Sequence, residues 1–314
     1  MRGIYVYMAS IAGELNLNNV NISNNAISLL TLDPDESSIG IDISGFGYMY
    51  DTRVSDNFIA ANLLGISADV QSSLITGNRI FSKGYGIYVQ GSSVEVSTNN
   101  VICQTDRSDG AGVSCIRTRQ YFYQGIDVLN NTTFLKGNGS TGVLKGDGSF
   151  KLANIYVYEG SKNFTISGNI TRQYYSSIDG ADQAAHIYVG EYHQAFWSID
   201  NNQIFNVNVK GAGTVSDSDG LYVDTSIVAG ERGVIANNCI FGSNSTLVGT
   251  HTELAVSATA GIVTLNNNRI VINYTGPGIE TATIALVGSV TMETITTNIV
   301  DKYNAGGVYA GLAF

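Results

Sequence analysis

Glu159 and Glu191 stand at the same place behind two copies of one short pattern, Asn154-Ile155-Tyr156-Val157-Tyr158-Glu159 and His186-Ile187-Tyr188-Val189-Gly190-Glu191. A third copy, Gly220-Leu221-Tyr222-Val223-Asp224, carries its carboxylate one position earlier. Glu159 and Glu191 are 32 residues apart. If that interval is one turn of a repeating coil, their carboxyl groups lie about 5 Å from each other, the separation of a retaining glycosidase pair. Desolvation would then raise one pKa and make that group a general acid, while the other stays ionised as nucleophile. The same acids also read as solvated turn residues that keep stacked coils soluble, or as a cation site.

The stretch from Arg172 to Trp197 is the most unusual in the chain, holding Tyr174, Tyr175, Asp179, Asp182, His186, Tyr188, Glu191, Tyr192, His193, Phe196 and the only Trp. Aromatic faces beside a few carboxylates suit a sugar, whose apolar face stacks while its hydroxyls need polar partners. Tyr156, Tyr188, Tyr192, His193, Trp197 and Tyr222 are the candidate glycan contacts. Trp197 also fits an inward, core position. By alternation Tyr88, Tyr156, Tyr188 and Tyr222 point outward as a column, suited to a glycan or to a neighbouring subunit. Asp217, Asp219, Asp224, Glu231 and Arg232 form a second acidic region after a long loop over 206–219.

What must position these groups is a repeat. Alternating apolar residues, a polar pair, an Asn and another apolar residue recur from Val20-Asn21-Ile22-Ser23-Asn24-Asn25 to Ile295-Thr296-Thr297-Asn298. The last Asn of each copy falls at Asn25, Asn57, Asn78, Asn100, Asn131, Asn169, Asn202, Asn238, Asn268 and Asn298, with spacings of 32, 21, 22, 31, 38, 33, 36, 30 and 30. Ten copies at such spacing predict a solenoid. The Ile-Tyr-Val pattern precedes the Asn by 12, 13, 14 and 16 residues at Tyr88, Tyr156, Tyr188 and Tyr222, so each coil holds at least two strands.

Gly3-Ile4-Tyr5-Val6 is a fifth copy, which makes the amino terminus a strand rather than a signal segment. The Asn suits a corner because it tolerates left-handed backbone and its amide both donates and accepts. Stacked at about 4.8 Å, such amides bond to one another at a net gain of about 1 kcal/mol per bond. Val94, Val96, Ile126, Val128, Ile199, Val263 and Leu265 are the expected aliphatic columns of one continuous core.

Composition narrows the function classes. The chain has 314 residues, is 44% hydrophobic and 13% charged, with 16 Lys and Arg against 26 Asp and Glu. Sequence-wide, that balance argues against a nucleic-acid surface, which needs clustered cations. No apolar run approaches the roughly 20 residues of a membrane span. Cys103, Cys115 and Cys239 show neither disulfide nor zinc spacing and read as free thiols. No metal and no cofactor are expected.

Repeats of this form resemble the right-handed parallel β-helix of the pectin lyase-like superfamily, which includes pectinolytic enzymes, alginate epimerases and bacteriophage tailspikes. The resemblance covers nearly all of 1–314 and implies one all-β domain, a right-handed single-stranded parallel β-helix of about ten coils. The polygalacturonase Asn-Thr-Asp, Asp-Asp and Gly-His-Gly motifs are absent, as is the pectate lyase pattern. Asp33-Pro34-Asp35-Glu36 is similar to the Asp-Pro-His-Asp/Glu of alginate epimerases, but Asp35 stands where that chemistry needs His.

In its Gly, Asn, Ser, Thr and Tyr richness the chain looks most like tailspikes and other virion β-helices. That resemblance implies a virion structural protein contacting bacterial surface polysaccharide, with other virion proteins and itself as partners. No amphipathic capping helix is legible at either end, and open strand edges invite pairing with other chains, so a homotrimer or larger assembly is expected. A depolymerase using Glu159, Glu191 or Asp224 is the runner-up, and a secreted bacterial adhesin the third reading.

Overall fold

In the computed structural model the chain is a parallel β-solenoid of three long sheets. The structure describes residues 1–8, 16–33, 36–45, 48–104, 114–120, 125–137, 143–145, 152–158, 162–175, 177–179, 183–190, 196–208, 217–225, 232–244, 249–258, 262–274, 279–288, 291–296, 299–302 and 308–313. Among them there is no helix. The first sheet is built from the Ile-Tyr-Val strands, running from Arg2–Met8 through Ile39–Gly45, Leu64–Gln71, Tyr85–Ser92, Ser114–Gln120, Leu152–Tyr158 and Gln183–Gly190 to Asp217–Thr225 and beyond. The second holds the short strands before each Asn corner, such as Val94–Ser97 and Ile126–Leu129. The third holds the strands after it, such as Arg79–Ser82 and Ile170–Tyr174. Each strand pairs with its counterparts one coil away.

Alternation decides which side chains face inward. Val94, Val96, Ile126, Val128, Ile199, Val263 and Leu265 are all buried as expected, within one core cluster that runs from Met8 to Ile270. Cys103 and Cys115 are buried free thiols, and Cys239 is a half-buried one. Burial pushes the Cys103 thiol well up, and the adjacent Cys115 adds to the rise.

The corner between the second and third sheets divides its work between two residues. Positive φ falls on the residue before the stacked Asn, at Asn24, Asp56, Gly77, Thr98, Asn130, Gly168, Asn201, Asn237 and Asn267. The left-handed conformation is therefore not the stacked Asn's task, as the repeat alone suggested. The next residue, Asn25, Asn57, Asn78, Asn99, Asn131, Asn169, Asn202, Asn238 or Asn268, turns its amide into the stack. From Asn25 to Asn238, each Nδ2 donates to the Oδ1 of the following coil's Asn at 2.9 to 3.1 Å. In the fourth repeat the stacked residue is Asn99; Asn100 begins the following strand and is exposed.

The structure also shortens the loop expected over 206–219. The strand Gln203–Asn208 extends into it from one side and Asp217–Thr225 from the other, so Asp217, Asp219 and Asp224 lie on a strand.

Candidate functional site

The expected tyrosine column exists, with one residue that sequence did not place. Tyr88 pairs in register with Arg117, Arg117 with Tyr156, Tyr156 with Tyr188, and Tyr188 with Tyr222, across five successive strands of the first sheet. Their inward neighbours Ile87, Ile116, Ile155, Ile187 and Leu221 are fully buried, so the column stands on the outer face.

Outward does not mean exposed here. Tyr156 and Tyr188 are 2% and 1% exposed and form a second apolar cluster with Ala153 and Ala185, packed by Tyr158 and Tyr222. Tyr156 meets Tyr158 at 5.6 Å and Tyr188 at 5.1 Å edge-on, and Tyr188 stacks on Tyr222 at 5.3 Å and 12°. Large rings at the 4.8 Å strand spacing cover one another, which is why the column buries itself. Tyr156 and Tyr188 thus make the floor of the site and not its contact surface.

Arg117 is the centre of this cluster. Its guanidinium carbon lies 4.8 Å from the Tyr158 ring, 5.4 Å from Tyr156, 5.6 Å from Tyr85 and 5.7 Å from Tyr88. Its Nη1 donates to the Tyr85 hydroxyl at 3.0 Å. Arg119, two residues on and facing the same way, lies 5.8 Å from the Tyr158 ring. A planar cation over aromatic faces is held by the ring quadrupole, the more strongly where water is displaced.

Polar groups continue the face toward the amino terminus. The Tyr88 hydroxyl donates to Gln90 Oε1 at 3.0 Å, and Gln90 Nε2 donates to Asp69 Oδ2 at 3.4 Å. Burial raises the Asp69 carboxyl above its ordinary range, against the bond from Gln90. Asp69, Tyr88, Gln90, Arg119, Tyr158 and Tyr222 are half-buried and form the reachable rim. Sequence reading missed Arg117 and Arg119 because Cys115-Ile116-Arg117-Thr118 replaces the Tyr of the Ile-Tyr-Val pattern; the apolar alternation around it was the available signal.

Trp197 is a core residue, 2% exposed and stacked with Phe164 at 6.3 Å and 12°, so it offers no surface to a glycan. The reason is its inward strand position beside Ile199. Glu159, Glu191, Tyr192 and His193 lie outside the described residues. Asp224 pairs by its backbone with Gly190 and Ser257, and its side chain lies outside the description. His186 is buried, with Nδ1 3.0 Å from the Thr171 hydroxyl.

A different carboxylate pair comes together on the second sheet. Glu95 and Asp127 are in register on adjacent coils and line a cavity of about 420 Å³ with Ser93, Val94, Gly125 and Asn163. Asp127 Oδ1 accepts the Thr165 N–H at 2.8 Å. Burial holds its carboxyl above the ordinary range; the bonds from Thr165 oppose this and the charge of Glu95 adds to it. Among the described residues no group of three or more His, Cys, Asp and Glu is placed to hold a metal ion. No family model, no curated protein and no solved structure matches this chain.

Proposed function

We propose that this chain is a right-handed parallel β-helix of about ten coils, of the pectin lyase-like type, serving as a tailspike- or tail-fibre-like structural protein of a bacteriophage virion. Its task in this reading is to contact bacterial surface polysaccharide, as a homotrimer among other virion proteins. The observation that carries the reading is the outer face of the first sheet, where Arg117 and Arg119 lie among packed tyrosines with Gln90 and Asp69 beside them. Rings for the apolar side of a sugar and fixed polar groups for its hydroxyls are what such a ligand requires. The test is retention of the intact protein on immobilised bacterial surface polysaccharides. Wild type is expected to bind at least one, and Tyr222→Ala or Arg119→Ala to weaken it about tenfold. Failure of wild type on the whole panel overturns the reading.

The depolymerase reading keeps one specific support, now at Glu95 and Asp127. Adjacent coils set these residues in register, near the spacing of a retaining pair, and burial raises the Asp127 carboxyl above its ordinary range. Release of reducing ends by wild type, lost in Glu95→Gln and Asp127→Asn, would establish it.

A further inference from the structure

The third sheet carries a charge distribution unlike that of the whole chain. Nine of its ten strands, from Ala26–Leu29 to Arg269–Tyr274, contain Arg79, Lys136, Arg172 and Arg269 and no Asp or Glu, although acids outnumber cations 26 to 16 overall; the tenth, Ile299–Lys302, adds Asp301 and Lys302 at the far end. All four cations of the nine strands are on the outer side. Their strand neighbours Ile80, Leu135, Thr171 and Ile270 are buried, while Arg79, Arg172 and Arg269 are exposed and Lys136 half-buried.

Rings run between the cations. Phe134 pairs with Arg172, Arg172 with Phe205, and Phe205 with Phe241, in one outward line. The Arg172 guanidinium lies 5.2 Å from the Phe205 ring, and Phe205 stacks on Phe241 at 5.1 Å and 8°. A parallel line sets Phe58, 57% exposed, in register with Arg79. These two line a cavity of about 340 Å³ with Asn57, Gly77 and the corner acid Asp56.

We propose that this face binds an anionic polysaccharide, a uronate- or sialate-bearing polymer lying along the rod. Guanidinium forks match carboxylates in two-point contact, and the phenyl rings take the apolar faces of the sugars. With coils stacked at about 4.8 Å, Arg79, Lys136, Arg172 and Arg269 follow one another along the rod at intervals of two, one and three coils, so successive cations meet different sugars of one chain. Net charge does not oppose this, because screening over about 8 Å at physiological ionic strength leaves the local face in control. A second copy laid on the same face across a two-fold axis would set cations against cations, which disfavours a two-fold dimer through that face. The inference rests on the surface-glycan reading but uses a different sheet.

The experiment measures binding of the intact protein to immobilised polygalacturonate, hyaluronan and polysialate and to their carboxyl-reduced forms. Variants are Arg172→Gln and Arg79→Gln, both at exposed positions, with circular dichroism to confirm folding. Wild type is expected to be held by an acidic polymer, to be released by salt, to ignore the reduced form, and to bind roughly tenfold more weakly in either variant. Equal retention on reduced polymer, or unchanged binding in both variants, overturns the proposal while the surface-glycan reading stands. Equal retention on double-stranded DNA overturns it in favour of a general cationic surface. Binding that survives while Phe205→Asp converts an oligomer to monomer makes the face a subunit interface and also overturns it. A wild type held by no acidic polymer yet held by neutral surface polysaccharide sinks this proposal alone; one held by no polysaccharide sinks both.

Discussion

The side-chain amides of Asn99 and Asn131 are 32 residues apart in sequence and one hydrogen bond apart in space, Nδ2 of the first donating to Oδ1 of the second at 3.0 Å. The Asn99 backbone N–H reaches the same oxygen at 2.9 Å. Asn131 in turn donates to the Val96 carbonyl at 2.8 Å and to Asn169 at 3.1 Å. Each stacked amide thus satisfies two donors above and spends its own two, which is what a fully buried Asn requires.

Asn131→Ala is therefore expected to cost roughly 3–5 kcal/mol, because it strands two donors of Asn99 in the interior. Asn25→Ala, at the partly buried first position of the stack, removes a donor but strands none of its neighbour's, and should cost about 1 kcal/mol. Urea denaturation of both variants measures the difference. Equal losses would mean that the stack is incidental to stability.

Much of this stack was legible in the sequence, because a corner that needs both a left-handed residue and an in-register amide admits few residue types. The choice between Asn99 and Asn100 was not legible. Both are Asn, and only the strand boundary shows that Thr98 takes the positive φ and Asn99 the inward place. Inward positions such as Val128 and Leu265 were plain for a simpler reason: burial on one side of a strand imposes period two.

Gly65→Ala should abolish or severely weaken folding. A Cβ there would overlap Ile80 Cγ2 and lie 2.5 Å from the Gly86 carbonyl oxygen, on the adjacent coil. Neither can retreat, since Ile80 is core and the Gly86 oxygen is backbone. A loss of more than about 3 kcal/mol is expected from such overpacking and is read as lost soluble yield or a lowered melting temperature. Wild-type stability in Gly65→Ala would contradict the close approach of the two sheets.

The pH dependence at Asp127 follows from its raised pKa. Between the ordinary carboxylate range and that raised value the folded chain binds more protons than the unfolded one, so this group's contribution to stability falls as pH rises. Asp127→Asn keeps an acceptor for the Thr165 N–H and removes the charge. Its melting temperature relative to wild type should therefore be more favourable at about pH 7 than at about pH 4. Glu95→Gln should lower the Asp127 pKa by removing a like charge, seen as an earlier carboxyl titration by NMR.

The candidate sites were less legible than the fold, for reasons of register. Tyr156, Tyr188 and Tyr222 repeat a motif and could be aligned by eye, but their mutual burial depends on ring-to-ring spacing. Arg79, Lys136, Arg172 and Arg269 are scattered over 191 residues of sequence and share only an outward position on one sheet. Unequal coil lengths hide that alignment until the strands are paired.

Arg117 offers a separation of packing from charge. It is 8% exposed among four tyrosine rings, so Arg117→Ala should cost roughly 2–4 kcal/mol through lost packing and cation–π contact. Arg117→Lys keeps the charge but not the planar stacking or the fixed reach to the Tyr85 hydroxyl, and should recover only part of that loss. Arg117→Tyr restores the residue that its register neighbours Tyr88 and Tyr156 carry, continuing the ring column without the cation. If packing dominates, Tyr is better tolerated than Lys; if charge dominates, the order reverses. Melting temperatures of the three variants, with near-ultraviolet circular dichroism of the tyrosines, decide between them. We expect Tyr above Lys above Ala in stability, because a nearly buried site favours apolar area over a hydrated ammonium. Glycan retention should fall in all three if the guanidinium also orients the rim through Tyr158.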